Sequence, residues 1–311
     1  MEYVLIKQSW WSIFIAGYLF LGGMGGMMFI AAAYWWLKRR DKIMAFFGSL
    51  SAALMMIVGI GLLILDLTRP KAAMLVLLSP RLNLHSWITI GTMIISVYTV
   101  LLLIYTAQFF PGLRRLPWYK ITRIMDIIAI VAVFFGIATA TYTGLLLSAA
   151  RAVGFWATPI LPLLFVFSGL STGYCWYCLL LGPIVYLTGG GHSEAGRIRV
   201  WLQKIDVVSL LVELALIFAL IANGLVSGNP AAVESAKTLL YGEYSLLLWG
   251  VIVVAGILVP LAIMLAYTLR TEEETAPIVI ASSIAALLVL IGGFTLRYLV
   301  LEVGYIMVPI P

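Results

Sequence analysis

Long apolar stretches separated by short polar joints dominate the chain, and there are eight of them. About 20 successive apolar residues are what an α-helix needs to cross the hydrocarbon core of a bilayer. The pattern therefore predicts an all-α polytopic membrane protein with about eight transmembrane helices. We expect these helices at residues 10–37, 43–65, 84–109, 124–148, 158–187, 205–226, 244–269 and 277–301.

The distribution of basic residues among the joints indicates how the helices are oriented. Lys and Arg concentrate on the inner side of a membrane when the loops are short. If the N-terminus is outside, 12 of the 19 basic residues lie in inner joints. The charge pattern therefore predicts that both termini are outside. The inner residues are then Lys38, Arg39, Arg40, Lys42, Arg114, Arg115, Lys120, Arg123, Arg197, Arg199, Lys204 and Arg270.

The two halves of the sequence resemble each other. The stretch FLGGMGG at residues 20–26 aligns with FSGLSTG at 167–173, and GIATATY at 136–142 aligns with GGFTLRY at 292–298. Four helices per half is an even number, so such repeats would run parallel, related by an axis along the membrane normal. We expect two four-helix bundles, one at residues 1–155 and one at residues 156–311.

Composition supports lipid, rather than water, as the solvent of this protein. Hydrophobic residues make up 63% of it and charged residues 10%, whereas soluble domains are about 25% charged. The net charge of +6 resides in the joints, as membrane orientation requires. We therefore expect membrane lipid around the protein and no nucleic-acid partner.

Histidines and cysteines are too few for the usual redox centres. Two histidines exclude a subunit with two stacked bis-histidine haems, and two cysteines fall short of the four ligands of an iron–sulfur cluster or a structural zinc. Cys175 and Cys178, in the motif CWYC, are interpreted as buried thiols, with a redox pair as the alternative. We expect no metal, haem or cluster in this protein, so electron transfer would need a metal-bearing partner and a diffusible carrier.

Polar residues gather at the outer ends of the first four helices. Asp66 and Arg69 follow the second apolar stretch, and His85 and Ser86 open the third. Tyr142 lies near the outer end of the fourth helix, among threonines. One interpretation is structural: an ion pair that ends a helix and an interfacial tyrosine. The other is a pocket in which a phenol donates a hydrogen bond to a carbonyl.

Ionisable residues at greater depth suggest a proton path. Such side chains are costly inside a membrane and are functional hypotheses by default. Glu213 lies near the middle of the sixth helix, and Asp126 and Asp206 lie at the inner ends of the fourth and sixth. Arg297, near the outer end of the last helix, is a further candidate for this path. The structural alternatives are a protonated Glu213 bonded between helices and solvated aspartates at helix ends.

Five motifs, in order along nearly the whole sequence, resemble the family of NrfD and the polysulfide reductase membrane subunit (PsrC-like). They are YLFLGGMGG at residues 18–26, LDLTRP at 65–70, LHSWITIG at 84–91, YTGLLLS at 142–148 and GGFTLRYLVLEVG at 292–304. The resemblance implies a haem-free, quinone-binding membrane anchor of a respiratory oxidoreductase in a prokaryotic cell membrane. It implies as partners a ferredoxin-like four-cluster iron–sulfur subunit and a molybdenum-containing catalytic subunit.

The resemblance also implies where a menaquinone-type quinone binds, near the outer face of the N-terminal bundle. It assigns this site to Tyr142, His85, Ser86, Asp66 and Arg69. The family's polar residues on the first helix have no counterpart at positions 13 and 17, which are Ile and Gly. Either Gln8 or Ser12 substitutes for them, or the quinone is held in a different way. Two alternatives stay open: a secondary transporter that uses the carboxylate at position 213, and a structural anchor that binds no quinone.

Overall fold

The computed structural model describes residues 3–67, 86–110, 122–188, 192–268 and 276–309. Two predicted site residues, Arg69 and His85, lie outside the described residues. Nine helices run through the described part of the protein. They are α1 (Ile13–Tyr34, continued by a π-helical turn at Trp35–Arg39), α2 (Lys42–Asp66), α3 (Trp87–Ala107), α4 (Thr122–Ser148), α5 (Ile160–Thr188), α6 (His192–Val226), α7 (Pro230–Leu240), α8 (Leu247–Leu258, Val259–Ile263 and Met264–Thr268) and α9 (Ala276–Glu302).

Every helix except α7 is long and apolar enough to cross a bilayer, which gives eight candidate spans in the described residues. Each corresponds to one of the predicted stretches, so the prediction of an all-α polytopic membrane protein is confirmed. Most of α8 is π-helical, a wider winding that usually occurs only as single turns.

The sequence also encodes where these helices begin. The Ser12 side chain accepts a hydrogen bond from the backbone N–H of Phe14 at the start of α1. Between α1 and α2, Arg40 adopts the left-handed conformation, with φ of 57°, and the Asp41 carboxylate caps the next helix. These caps supply acceptors to N–H groups that the first helical turn leaves unpaired. The turn between α1 and α2 can therefore be short.

Two short strands join the ends of the protein. Strand β1 (Tyr3–Lys7) pairs antiparallel with β2 (Tyr305–Pro309). The ring of Trp11 stacks on that of Trp156 at 5.1 Å, which ties the N-terminal segment to the joint after α4. Both termini therefore lie on one face of the helix assembly, here named the terminal face; the other is the opposite face. That the terminal face is the outer one stays a prediction.

Helix α1 occupies the centre and packs against α2, α4, α5 and α9. Glycines make these close approaches feasible, because small residues let membrane helices meet backbone to backbone. A Cβ added at Gly26 would overlap the backbone carbonyl of Gly136 on α4, and one added at Gly169 on α5 would lie 3.0 Å from the carbonyl oxygen of Gly23. Since α1 contacts helices of both halves, the division into bundles at residue 155 stays a prediction.

Candidate functional site

Two tyrosines and a glycine lie together roughly 6–9 Å below the terminal face, at 1.5 Å per helical residue. The Tyr142 ring on α4 covers Gly91 on α3 so closely that a Cβ at Gly91 would overlap it. Tyr18 on α1 lies close enough to Tyr142 to interact electrostatically. Both side chains are buried, and the Tyr18 hydroxyl has no hydrogen-bond partner among the described residues. Two buried phenols thus lie within electrostatic range of each other, and one of them has a free donor.

Sequence reasoning named Tyr142 and missed Tyr18. The signal was available, because Tyr18 is the first letter of the motif YLFLGGMGG on α1. A lone tyrosine in an apolar helix is usually an interfacial anchor, so its role depends on which neighbour faces it. Only the packing of α1 against α4 brings the two rings together.

The predicted residues Asp66 and Ser86 lie at the terminal-face ends of α2 and α3. The Ser12 hydroxyl donates to the Asp66 carboxylate, which joins the terminal-face ends of α1 and α2. Ser86 is the N-cap residue of α3, but its side chain makes no capping hydrogen bond. Gln8, the other expected substitute, instead binds the backbone oxygens of Trp11 and Leu301. Of the two substitutes, Ser12 is the one bonded to a predicted site residue.

Arg297 on α9 is fully buried and forms the second polar centre. Its Nε donates to the backbone oxygen of Leu19 at 3.3 Å. Its Nη1 donates to the Ser168 hydroxyl at 2.9 Å and to the Gly293 carbonyl at 2.7 Å. One guanidinium group therefore joins α1, α5 and α9, using the several donors that only Arg offers in a planar fork.

The surroundings of this guanidinium are aromatic on two sides. Its central carbon lies 5.5 Å from the ring centre of Phe20 and 5.2 Å from that of Phe165, which are cation–π distances. The Nη2 atom is buried with no hydrogen-bond partner among the described residues, and it faces Gly23 on α1. A buried charge with an unused donor is expensive, so this is a place where a functional role is expected.

Two buried carboxyl groups on α6 continue the polar line from Arg297 toward the opposite face. Glu213 lies beside Ser168 and within electrostatic range of the guanidinium. Asp206 lies two helical turns further along α6, where it accepts a hydrogen bond from the Cys175 thiol at 3.1 Å and lies beside Ser171. Arginine, serine and carboxyl groups thus form a broken line through the interior.

Asp126, the fourth residue assigned to a proton path, lies apart from this line. At the opposite-face end of α4 it accepts hydrogen bonds from both Nη1 and Nη2 of Arg40, the second at 2.7 Å. It also accepts one from Nε1 of Trp36 at 2.8 Å. This ion pair connects the turn between α1 and α2 to the first turns of α4.

Comparisons with known proteins identify the family. The model of the family described as "Polysulphide reductase, NrfD" matches residues 4–309. The protein belongs to the NrfD family.

Similar curated proteins bear the same family names. The C subunit of polysulfide reductase from Wolinella succinogenes is 29% identical, and the match covers 94% of each of the two sequences. The NrfD homolog of Haemophilus influenzae is 27% identical over 96% of this protein and 95% of its own length. Protein NrfD of Escherichia coli is 26% identical over 81% and 80%. The predicted family is confirmed.

This NrfD-family protein has eight candidate spans and bacterial relatives, so it is a multi-pass protein of the bacterial inner membrane. The family is one of membrane subunits of reductase complexes. In this protein, the tyrosine pair and Arg297 are adjacent. The carbonyl group that accepts a hydrogen bond from Arg297 belongs to Leu19, the residue directly after Tyr18.

Proposed function

We propose that this protein exchanges electrons between a membrane quinone and a partner iron–sulfur subunit docked on its terminal face. The observation that carries the proposal is the buried pair formed by Tyr142 and Tyr18, in which a phenol donor is free and dry. A quinone oxygen needs such a donor, and a hydrogen bond is stronger where water is excluded. The names of the relatives, polysulfide reductase and NrfD, support a reductase complex as the setting.

In this proposal each site residue has a defined task. Tyr142 donates a hydrogen bond to one carbonyl oxygen of a menaquinone-type quinone, and Tyr18 stands ready as a second donor. Asp66, held by Ser12, orders the rim, together with Ser86. Sequence similarity extends the rim to the side chains at positions 69 and 85.

The electron route requires a partner, because the protein has two histidines and two cysteines in all. An iron–sulfur cluster takes about four such ligands. We assign the metal centres to a ferredoxin-like four-cluster subunit and, beyond it, to a molybdenum-containing catalytic subunit. Both assignments follow from the family resemblance and are supported by the match to the C subunit of polysulfide reductase.

Protons that accompany the electrons are assigned to the buried polar line. Arg297 holds Ser168, and Ser168 lies beside Glu213, so these groups form a continuous contact from the quinone side to mid-membrane. Asp206 extends the line toward the opposite face. Asp126 forms an ion pair with Arg40 at the opposite-face end of α4. We keep it as a candidate for the same path.

The decisive test replaces Tyr142 with Phe, which removes the hydroxyl and leaves the ring on Gly91. We expect quinol-linked electron transfer by the purified complex to fall at least about 100-fold, a usual contribution of a positioned proton donor, with the complex still assembled. The matched control is Tyr298→Phe, which removes a phenol at the position that the internal alignment pairs with Tyr142.

Each alternative gives a different result in this test. A purely structural anchor predicts that Tyr142→Phe retains full turnover. A secondary transporter predicts that the protein alone moves a solute and that Glu213→Gln stops it, with no partner subunit or extractable quinone in the purified material. Either result would refute the proposal.

A further inference from the structure

A small cavity lies between α5, α6, α8 and α9 near the opposite face. Its volume is about 10 Å³, and its polar lining includes Asp206, Gln203 and Ser282. A space of about this size holds one water molecule. The cavity is therefore too small for a quinone or a lipid tail and belongs to neither.

Two oxygen atoms of this lining are buried acceptors with no hydrogen-bond partner in the described part of the protein. They are Oδ1 of Asp206 and Oε1 of Gln203, on side chains that are 2% and 3% exposed. Residues three apart on a helix are neighbours on its surface, so both side chains reach the same space. Leaving such a buried group unpaired is costly, so a partner is expected.

Two donors near these acceptors are already used. The Cys175 thiol donates to the other carboxyl oxygen of Asp206, and the Ser282 hydroxyl donates to the backbone oxygen of Val279. The Ser171 hydroxyl lies beside Asp206, outside the cavity lining, and makes no hydrogen bond of its own within the described residues. While Asp206 is ionised, a small ligand with two donor hydrogens would pair both acceptors inside the cavity lining.

We propose that the cavity binds one water molecule that donates to Oδ1 of Asp206 and Oε1 of Gln203, and that this water connects Asp206 to the aqueous phase at the opposite face. Water has two donor hydrogens for the two unpaired acceptors. A hard cation is a poorer match, because it needs about six oxygen ligands and the lining includes the sulfur-bearing residues Cys175, Cys178 and Met264.

The position of the cavity gives the water its role. Gln203 and Asp206 are the third and sixth residues of the span Trp201–Val226, so both lie within roughly 8 Å of its end. Glu213 lies two turns deeper. The water site itself is independent of quinone chemistry. Its use as the opposite-face entrance of the proton path rests on the proposed function. Gln203 then acts as a positioning residue that holds the water.

Hydrogen–deuterium exchange of the Asp206 carboxyl group tests the site directly. The full-length protein, in lipid membranes and without added quinone, is transferred to D₂O at a pH low enough to protonate the group. Infrared spectroscopy follows the carbonyl stretch, identified as the band that Asp206→Asn removes. We expect Gln203→Met to slow its exchange roughly tenfold, the factor that loss of one hydrogen bond of ordinary net strength gives.

Matched controls make the result specific. Gln108→Met removes another buried amide near the opposite face, in the first half of the sequence, and should leave the exchange rate unchanged. In Gln203→Asn the side chain is one methylene shorter, which moves the amide oxygen away from the cavity. This variant should also slow exchange, and it replaces Gln203→Met in the test if the Met variant does not fold. Equal exchange rates in wild type and both Gln203 variants would overturn the proposal. It would also be overturned if sodium ions shifted the Asp206 carbonyl band in wild type and in Gln203→Met alike, because the site would then bind a cation.

Failure of the water site can be distinguished from failure of the proposed function. The exchange assay contains no quinone, so Tyr142→Phe should exchange at the wild-type rate whatever its turnover. Slow exchange in Gln203→Met with normal turnover in Tyr142→Phe supports the water site and refutes quinone binding. Unaltered exchange in both Gln203 variants, together with lost turnover in Tyr142→Phe, refutes the water site and supports quinone binding.

Discussion

At the scale of single residues, the Arg297 guanidinium shows how one side chain joins helices that are far apart in the sequence. Arg297 was predicted from its cost inside a membrane, and the structure shows it fully buried. Its partner Leu19 is 278 residues away in the sequence. No spacing rule reaches that far, because only the packing of α9 against α1 and α5 creates the contact. Tyr18 was missed for the same reason.

The chemistry of Arg297 makes a conservative change costly. Arg297→Lys keeps the charge but has no planar fork, so it cannot reach the Leu19 carbonyl, the Ser168 hydroxyl and the Gly293 carbonyl together. We expect the free energy of unfolding to fall by about 2–3 kcal/mol, measured by thermal unfolding in detergent. The exposed Arg151, changed to Lys, should show no shift. An Arg297→Lys variant as stable as wild type would mean that charge alone is needed.

At the scale of elements, the apolar pattern predicted all eight spans because each exceeds the bilayer thickness by itself. It did not predict α7, whose 11 residues are too few to span, or the strands β1 and β2. Each strand has five residues, and its partner lies at the other end of the sequence. A strand without a neighbouring partner in sequence leaves only a weak signal.

Helix packing at the element scale depends on glycine at particular positions. Gly26→Ala places a methyl group into the Gly136 carbonyl, and neither backbone can move without parting α1 from α4. We expect a loss of about 1–3 kcal/mol in the free energy of unfolding, as for other overpacked sites. Gly61→Ala on α2 is the control, since nothing lies within 4 Å of its added Cβ. Equal stability of the two variants, judged by thermal unfolding, would contradict this packing.

At the scale of the whole molecule, the two ends of the protein hold each other. Beside the two strands, Lys7 forms an ion pair with Glu302 at 2.8 Å and donates to the Tyr244 hydroxyl. Burial opposes the charge on Lys7, but the hydrogen bonds to Glu302 and Tyr244 outweigh it and raise the pKa of Lys7 well above its ordinary value. The first and last elements are thus joined by side chains as well as by backbone.

The stability that this pair contributes should be lost only in strong alkali. A group whose pKa is higher in the folded state stabilises it fully below its unfolded value, about 10.4 for Lys, and the contribution is lost as the pH rises through the folded value. Because Lys7 is about a third exposed, Lys7→Met should cost no more than about 1 kcal/mol near neutral pH. The variant already lacks this contribution, so its stability should fall less than that of wild type when the pH is raised into strong alkali. Unfolding curves against pH, with Lys237→Met as control, measure both effects.

The sidedness of the molecule decides which compartment meets the quinone site and which meets the Gln203 cavity. The strand pairing places both termini on one face, and the distribution of basic residues predicts that this face is outside. Lys237 on α7 and Lys38 at the end of α1 are exposed residues on the terminal and opposite faces. In intact cells, a membrane-impermeant maleimide should label Lys237→Cys and should label Lys38→Cys only after permeabilisation. The unmodified protein, with its native Cys175 and Cys178, gives the background. The reverse labelling pattern would invert the molecule, so that the partner subunit would have to dock from the inner compartment.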